Sequence, residues 1–190
     1  MMMNLKNIFR AAFLLSCFFI AGCENSVQQV NDFTHRKAGV EEAKNIVIDY
    51  SIAGRARSKI TAPLMLRYQD SISYVEFPKS LHADFFNAET LQTDSKLDAK
   101  YARYMEAESR VFLKDSVRVF NINGDTLYCN ELYWDRSRVG NEFYTDKPVR
   151  IRTKTHIIDG DGLNAPQDFK EWNIINPKGF VKVPANQFPG

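Results

Sequence analysis

The residues with the most specific chemistry stand near the start of the chain. Ile20-Ala21-Gly22-Cys23 puts small side chains ahead of a thiol. This is the pattern of a bacterial lipobox, in which the peptidase needs small residues at the cut and the cysteine sulfur carries a diacylglyceryl group. Lys6 and Arg10 form a basic region ahead of it, and Ala11–Ile20 is apolar. That run falls short of the roughly 20 residues needed to span a bilayer. Cys23 is therefore the expected lipidation site, and residues 1–22 the expected leader.

The remaining reactive groups do not assemble into a site. His35, His82 and His156 are far apart and lack ligand spacing. Asp159-Gly160-Asp161-Gly162 resembles the opening of a calcium loop but lacks the later acidic ligands and the closing Glu. No Ser-His-Asp order, glycine-rich phosphate loop or framed carboxylate pair stands out. No catalytic residue, metal or cofactor is expected. Cys17 leaves with the leader and Cys23 is acylated, so Cys129 has no disulfide partner and reads as a small hydrophobe. Tyr133 and Trp134 are adjacent in a strand and point to opposite faces, which argues against a flat aromatic shelf for a sugar.

The loss of Lys6 and Arg10 leaves Lys and Arg equal in number to Asp and Glu. Such a chain has no basic field for nucleic acid. Its length suits one domain with an adequate core. With 14 Phe and 8 Tyr it has much aromatic surface to hide, as β proteins do.

The elements that would position these groups are strands. Val111, Leu113, Val117 and Val119 share one parity, and Asn123-Gly124-Asp125 turns the chain into the aromatic run Thr126–Trp134. Lys79–Ala83, Asp115–Val119 and Lys147–Ile151 are copies of one short pattern. An apolar pair precedes the first two, Val75 and Phe77, then Val111 and Leu113; Phe143 and Thr145 precede the third. This repeat predicts stacked strand pairs that bury their apolar faces on one another. Further strands are expected at Asn45–Ser51, Arg57–Tyr68, Ile72–Phe77, Leu81–Phe86, Leu91–Met105, Glu142–Thr155, His156–Asp159 and Phe169–Ile175. Pro63 suits an edge or a bulge. Residues 23–44 read as the lipidated cysteine and a tether, with a weak helix near Val40–Lys44. Residues 45–183 read as the domain, and 184–190 as an irregular tail.

The lipobox, the interval from Ala62 to Tyr68 with its Val/Leu-x-Val units, and Gly160-x-Gly162-Leu163 together resemble the LptC family of the lipopolysaccharide-transport bridge, within the OstA-like superfamily. Tyr74-Val75-Glu76-Phe77-Pro78, Gly124-Asp125-Thr126-Leu127, Glu131-Leu132-Tyr133-Trp134-Asp135 and Phe143-Tyr144-Thr145-Asp146 extend the resemblance over roughly Ile46 to Phe180. The better-known members carry a transmembrane helix where this chain carries a lipobox.

The resemblance implies an all-β fold, an open, V-shaped jelly roll of two antiparallel sheets, and a non-enzymatic role. Its apolar groove would hold the acyl chains of lipopolysaccharide. The implied partners are an inner-membrane lipopolysaccharide-export ABC transporter at one end and an LptA-like bridge protein at the other, with attachment to the periplasmic face of the inner membrane by lipid. By parity the groove candidates are Ile60, Leu66, Tyr68, Val75, Phe77, Phe85, Leu97, Ala99, Tyr101, Val111, Leu113, Val117, Val119, Val149 and Ile151. The partner-edge candidates are Ile46, Ile48, Trp172 and Ile174. Two other classes stay open: a structural or carbohydrate-binding β-sandwich lipoprotein, and a metal-dependent envelope enzyme built on Asp159 and Asp161.

Overall fold

The computed structural model describes residues 39–69 and 72–181. The leader, Cys23, His35, most of the expected tether and the tail lie outside them. The described residues form fourteen strands: β1 (Val40–Ile52), β2 (Arg55–Tyr68), β3 (Tyr74–Phe77), β4 (Leu81–Phe86), β5 (Thr93–Ala99), β6 (Tyr101–Met105), β7 (Arg110–Asn121), β8 (Thr126–Asp135), β9 (Phe143–Thr145), β10 (Val149–Arg152), β11 (His156–Gly160), β12 (Gly162–Ala165), β13 (Asn173–Ile175) and β14 (Lys178–Val181). Every pairing is antiparallel.

Hydrogen bonding joins all fourteen, but the registers divide them into two layers that share four long strands. In the first layer one inward row runs Ile48, Ile60, Ala83, Leu97, Val119, Leu127, Ile151 and Ile158 across β1, β2, β4, β5, β7, β8, β10 and β11. In the second the row is Glu41, Arg67, Val75, Tyr104, Val111, Trp134, Phe143 and Ala165 across β1, β2, β3, β6, β7, β8, β9 and β12. Phe85 of the first layer meets Trp134 and Phe143 of the second at 4.9 and 5.6 Å between ring centroids. The layers thus face each other across one core, an all-β jelly-roll arrangement.

A crease separates the layers, and its residues have physical reasons to break a ladder. Pro78, Pro148 and Pro177 each fall between consecutive strands that change layer; proline cannot donate to a sheet. Pro63 lies in the stretch of β2 between its pairing with β4 and its pairing with β3. Asn45, Asp115, Ser116 and Asn176 have positive φ. Between β11 and β12 the chain passes close to β9 and β13. A Cβ at Gly162 would stand 2.7 Å from the Thr145 carbonyl oxygen, and one at Gly160 would stand 2.8 Å from that of Ile175.

The crease corrects several expectations. Residues 40–44 are not a weak helix; they pair with residues 64–68 and lengthen the first strand. The expected strand Leu91–Met105 is two strands that part at Lys100, whose N–H bonds the Asp115 carbonyl at 3.0 Å. The expected strand Phe169–Ile175 survives only as Asn173–Ile175; Phe169 is instead fully buried, and its carbonyl accepts from Asn121 Nδ2 at 2.8 Å. One inward parity does not run the length of β2. Buried Ser58 and Ala62 are followed by Met65 on the core, a three-residue step at Pro63.

Candidate functional site

An apolar slot of about 370 Å³ opens between the layers beside the edge strand β1. The first layer contributes Ile48, Tyr50, Ser58, Ile60 and Leu81; the second contributes Val75, Phe77, Tyr104, Val111 and Trp134. Arg67, Glu106 and Arg136 form its charged rim. Arg67 Nη2 donates to Glu106 Oε1 at 2.9 Å, and this bond holds the guanidinium pKa above its ordinary value. Arg136 lies over the Tyr50 ring at 4.7 Å from the centroid and donates to Tyr104 Oη at 3.2 Å. Ser58 Oγ is buried and has no hydrogen-bond partner, a state that costs about 1–3 kcal/mol.

The groove candidates separate into three sets. Ile60, Val75, Phe77 and Val111 line the slot. Phe85, Leu97, Leu113, Val117, Val119 and Ile151 are closed core at 0–1% exposure, and Ala99 and Val149 are buried beside the crease. Leu66, Tyr68 and Tyr101 lie half-buried on the outer face of the second layer, the face opposite Arg67, Val75 and Tyr104. Their inward parity fails because the crease lies between them and Ile60. Of the edge candidates, Ile48 is in the slot, while Ile46, Trp172 and Ile174 pack against the core. Sequence reasoning missed Ser58, Leu81, Arg67, Tyr104, Trp134 and Arg136 as slot residues. The parity of β3 pointed to its own layer, but nothing local to Arg136 signals that its loop returns to β1.

The outer face of the second layer carries a polar and aromatic ladder. Phe112, Tyr133 and Tyr144 stack across three strands at 5.1 Å spacings, with Arg138 over Tyr144 at 3.9 Å. The rings cover one another, so they present edges rather than a flat shelf. Tyr101 Oη and Arg103 both donate to Glu76 at 2.7 Å. Burial alone would raise the Glu76 pKa, but these bonds hold it below the carboxylate range. Burial and the Glu76 carboxylate push the Tyr101 phenol up to about 12.

The titratable groups singled out in the sequence are held by neighbours. His82 Nδ1 donates to Asp98 Oδ1 at 2.6 Å, and its Nε2 lies 3.4 Å from Asp84 Oδ2. Both ring nitrogens face carboxylates. Burial would raise the Asp98 pKa, but the bonds from His82 and Arg118 lower it. Asp159 is paired with Arg150 at 2.6 Å, and Asp161 accepts from Asn176 at 3.1 Å. No cluster of His, Cys, Asp and Glu among the described residues has metal-holding geometry. Burial drives the Cys129 thiol up to about 12.

Among the described residues no helix is long and apolar enough to cross a membrane. A comparison with curated proteins gives no match. Residues 11–177 match the family described as lipopolysaccharide-assembly, LptC-related. That span takes in the crease, the slot and both layers, and the chain therefore belongs to the LptC-related family, whose work is lipopolysaccharide transport at the periplasmic side of the inner membrane.

Proposed function

We propose that this chain is a lipid-anchored link in the lipopolysaccharide export bridge. It takes lipopolysaccharide from an inner-membrane ABC transporter and passes it to an LptA-like jelly-roll protein, with acyl chains lying in the slot between the layers. The observation that carries the reading is the slot itself: an apolar lining drawn from both layers, open beside an edge strand. Its volume falls in the range of about 300–1,000 Å³ typical of ligand sites. Each methylene moved from water into such a lining stabilises by about 0.8 kcal/mol. An alkyl chain needs no polar recognition along its length, which suits Ile60, Val75, Phe77 and Val111.

The edges support the relay. Among the described residues β1 pairs only with β2, and β13 only with β12. Val47 of β1 is 59% exposed and Ile175 of β13 is 44% exposed. Unpaired strand edges accept further strands, so each could continue a layer into a neighbouring protein. Acylation at Cys23 would keep the domain beside the transporter, and mass spectrometry of the mature N-terminus tests that part directly.

Site-specific photo-crosslinking in cells tests the slot. A photoreactive residue at Ile48, Val75 or Phe77 should capture lipopolysaccharide, and one at Lys114 or Arg118 should not, with circular dichroism confirming that each variant folds. Equal labelling at the two sets would end the reading.

A further inference from the structure

We propose that Arg136 and Ser58 form a headgroup site at the polar end of the slot. The guanidinium takes the anionic group of an amphiphile, and the Ser58 hydroxyl bonds a polar atom next to it. The inference rests on the acyl-slot reading and adds the end of the lipid that the slot recognises.

Among the described residues Arg136 is a cation without a carboxylate. No Asp or Glu oxygen of those residues lies within ion-pair distance of it, whereas Arg67 on the same rim is neutralised by Glu106 at 2.9 Å. The Arg136 guanidinium rests over Tyr50 at 4.7 Å and Tyr104 at 5.8 Å from the ring centroids. Among the described residues its one hydrogen bond is that to Tyr104 Oη. A guanidinium carries five donors in a planar fork. The stacking fixes that plane and leaves the rest of the fork for an anion.

Ser58 points to the same place independently. Its side chain is 1% exposed and its hydroxyl has no partner. It belongs to a cross-strand row with Phe85, Ser95 and Asn121. Ser95 Oγ donates to the Gln167 carbonyl at 2.6 Å and Asn121 Nδ2 to the Phe169 carbonyl at 2.8 Å. Ser58 alone of the three polar members is unanswered. Tyr50, Ser58 and Arg136 line both the slot and a neighbouring depression of about 570 Å³, whose wall includes Arg57, Asn87 and Gln167 and three carboxylates that have other partners: Asp94 and Asp168 each pair with Lys170, and Glu142 accepts from the N–H groups of Gly140 and Gln167. The route from the apolar slot to this more polar, mixed lining therefore passes between Ser58 and Arg136. An alkyl chain in the slot would carry its head to that point, where the Arg136 fork receives a negative one.

Calorimetric titration of the full mature chain tests this with three probes: dodecyl phosphate below its micellar concentration, dodecanol below its solubility limit, and inorganic phosphate. Dodecyl phosphate should bind roughly tenfold more tightly than dodecanol. Arg136→Ala should erase that preference and leave dodecanol within about twofold of wild type, and Arg136→Lys should keep part of it. Ser58→Ala should weaken dodecyl phosphate about threefold while raising the melting temperature of the free protein, because it removes an unanswered hydroxyl. Equal binding of dodecyl phosphate and dodecanol, or a preference that survives Arg136→Ala, overturns the headgroup site and leaves the slot standing. Inorganic phosphate binding as tightly as dodecyl phosphate makes this a free-anion site and overturns the proposal. Failure of both dodecyl probes to bind overturns the slot as well.

Discussion

The Phe85 ring meets Trp134 edge to face, with centroids 4.9 Å apart and planes at 74°. Trp134 lines the slot and Phe85 is closed off behind it, so this contact is where the two layers shut the inner wall. Trp134 is also held by its Nε1–H, which donates to Gln167 Oε1 at 3.2 Å. Phe85→Ala should therefore cost about 3–5 kcal/mol, as a fully buried aromatic does. Ile48→Ala, at a position 37% exposed on the slot's open side, should cost less than about 1 kcal/mol. Urea unfolding midpoints measure both. Similar losses at the two positions would mean that the slot is as tightly packed as the core.

Gly162→Ala should destabilise by about 1–3 kcal/mol through overpacking. The added methyl would meet the Thr145 carbonyl oxygen at 2.7 Å and Ile175 Cδ1 at 2.9 Å, and the carbonyl cannot move without breaking a strand. Gly124→Ala meets nothing within 4 Å and bears only the strain of φ +88°, about 1–2 kcal/mol. Calorimetric melting of both variants should rank Gly162→Ala at or below Gly124→Ala. A neutral Gly162→Ala would show that β9, with its Thr145 carbonyl, can move away from the crease.

Much of this arrangement was legible in the sequence because one pattern repeats at three crossings of the crease. Val75 and Phe77 precede the break at Pro78 and Leu81 follows it; Val111 and Leu113 precede Asp115-Ser116 and Val117 follows; Phe143 precedes Pro148 and Val149 follows. Strand alternation recovered the inward faces of β3, β4 and β7. It failed for Leu66, Tyr68 and Tyr101 because alternation carries no information about where a strand reverses its face. The rim was not legible for a different reason. Arg136 reaches Tyr50 and Tyr104 across 86 and 32 residues of chain respectively, and such contacts follow only from the assembled layers.

The outer-face cluster should show in titration. The Glu76 carboxyl is held below its ordinary value of 4.5. Its contribution to stability is thus present above about that pH and fades as pH falls through the lower folded value. The Tyr101 phenol, at about 12 when folded against 10.0 for an ordinary tyrosine, contributes fully below pH 10 and loses that contribution as pH rises toward 12. Glu76→Gln should flatten the acid loss of stability and bring the Tyr101 phenolate to a lower pH by ultraviolet absorbance. An unchanged phenolate midpoint would remove Glu76 as a cause of the shift.

Cys129 should be silent in the folded protein. Its thiol is buried and pushed up to about 12, so the thiolate that a disulfide reagent needs is scarce near pH 8. A form beginning at residue 24 has only this thiol. Ellman's reagent at pH 8 should label it at the rate of unfolding, and within seconds in denaturant. Rapid labelling of the native protein would place the sulfur at the surface.

The crease itself can be tested at Ser116. β1 crosses with one left-handed residue, Asn45, and the residues turned to the core step by three, from Ala43 to Ile46. β7 crosses with two, Asp115 and Ser116 at φ 62° and 54°, and its buried residues step by four, from Leu113 to Val117. A second left-handed residue undoes the face reversal made by the first, which keeps one parity inward on both sides of the crease. Left-handed backbone costs an L-residue about 1–2 kcal/mol, more when it is β-branched. Ser116 is exposed, so packing does not obscure the backbone effect. Ser116→Val should therefore destabilise by about 1–2 kcal/mol. Ser116→Gly should be neutral or stabilise by up to about 1 kcal/mol, the relief of strain being offset by the greater freedom of glycine in the unfolded chain. Urea unfolding midpoints decide the order. Valine equal to glycine would mean that residue 116 is not held left-handed and that β7 turns the crease by another route.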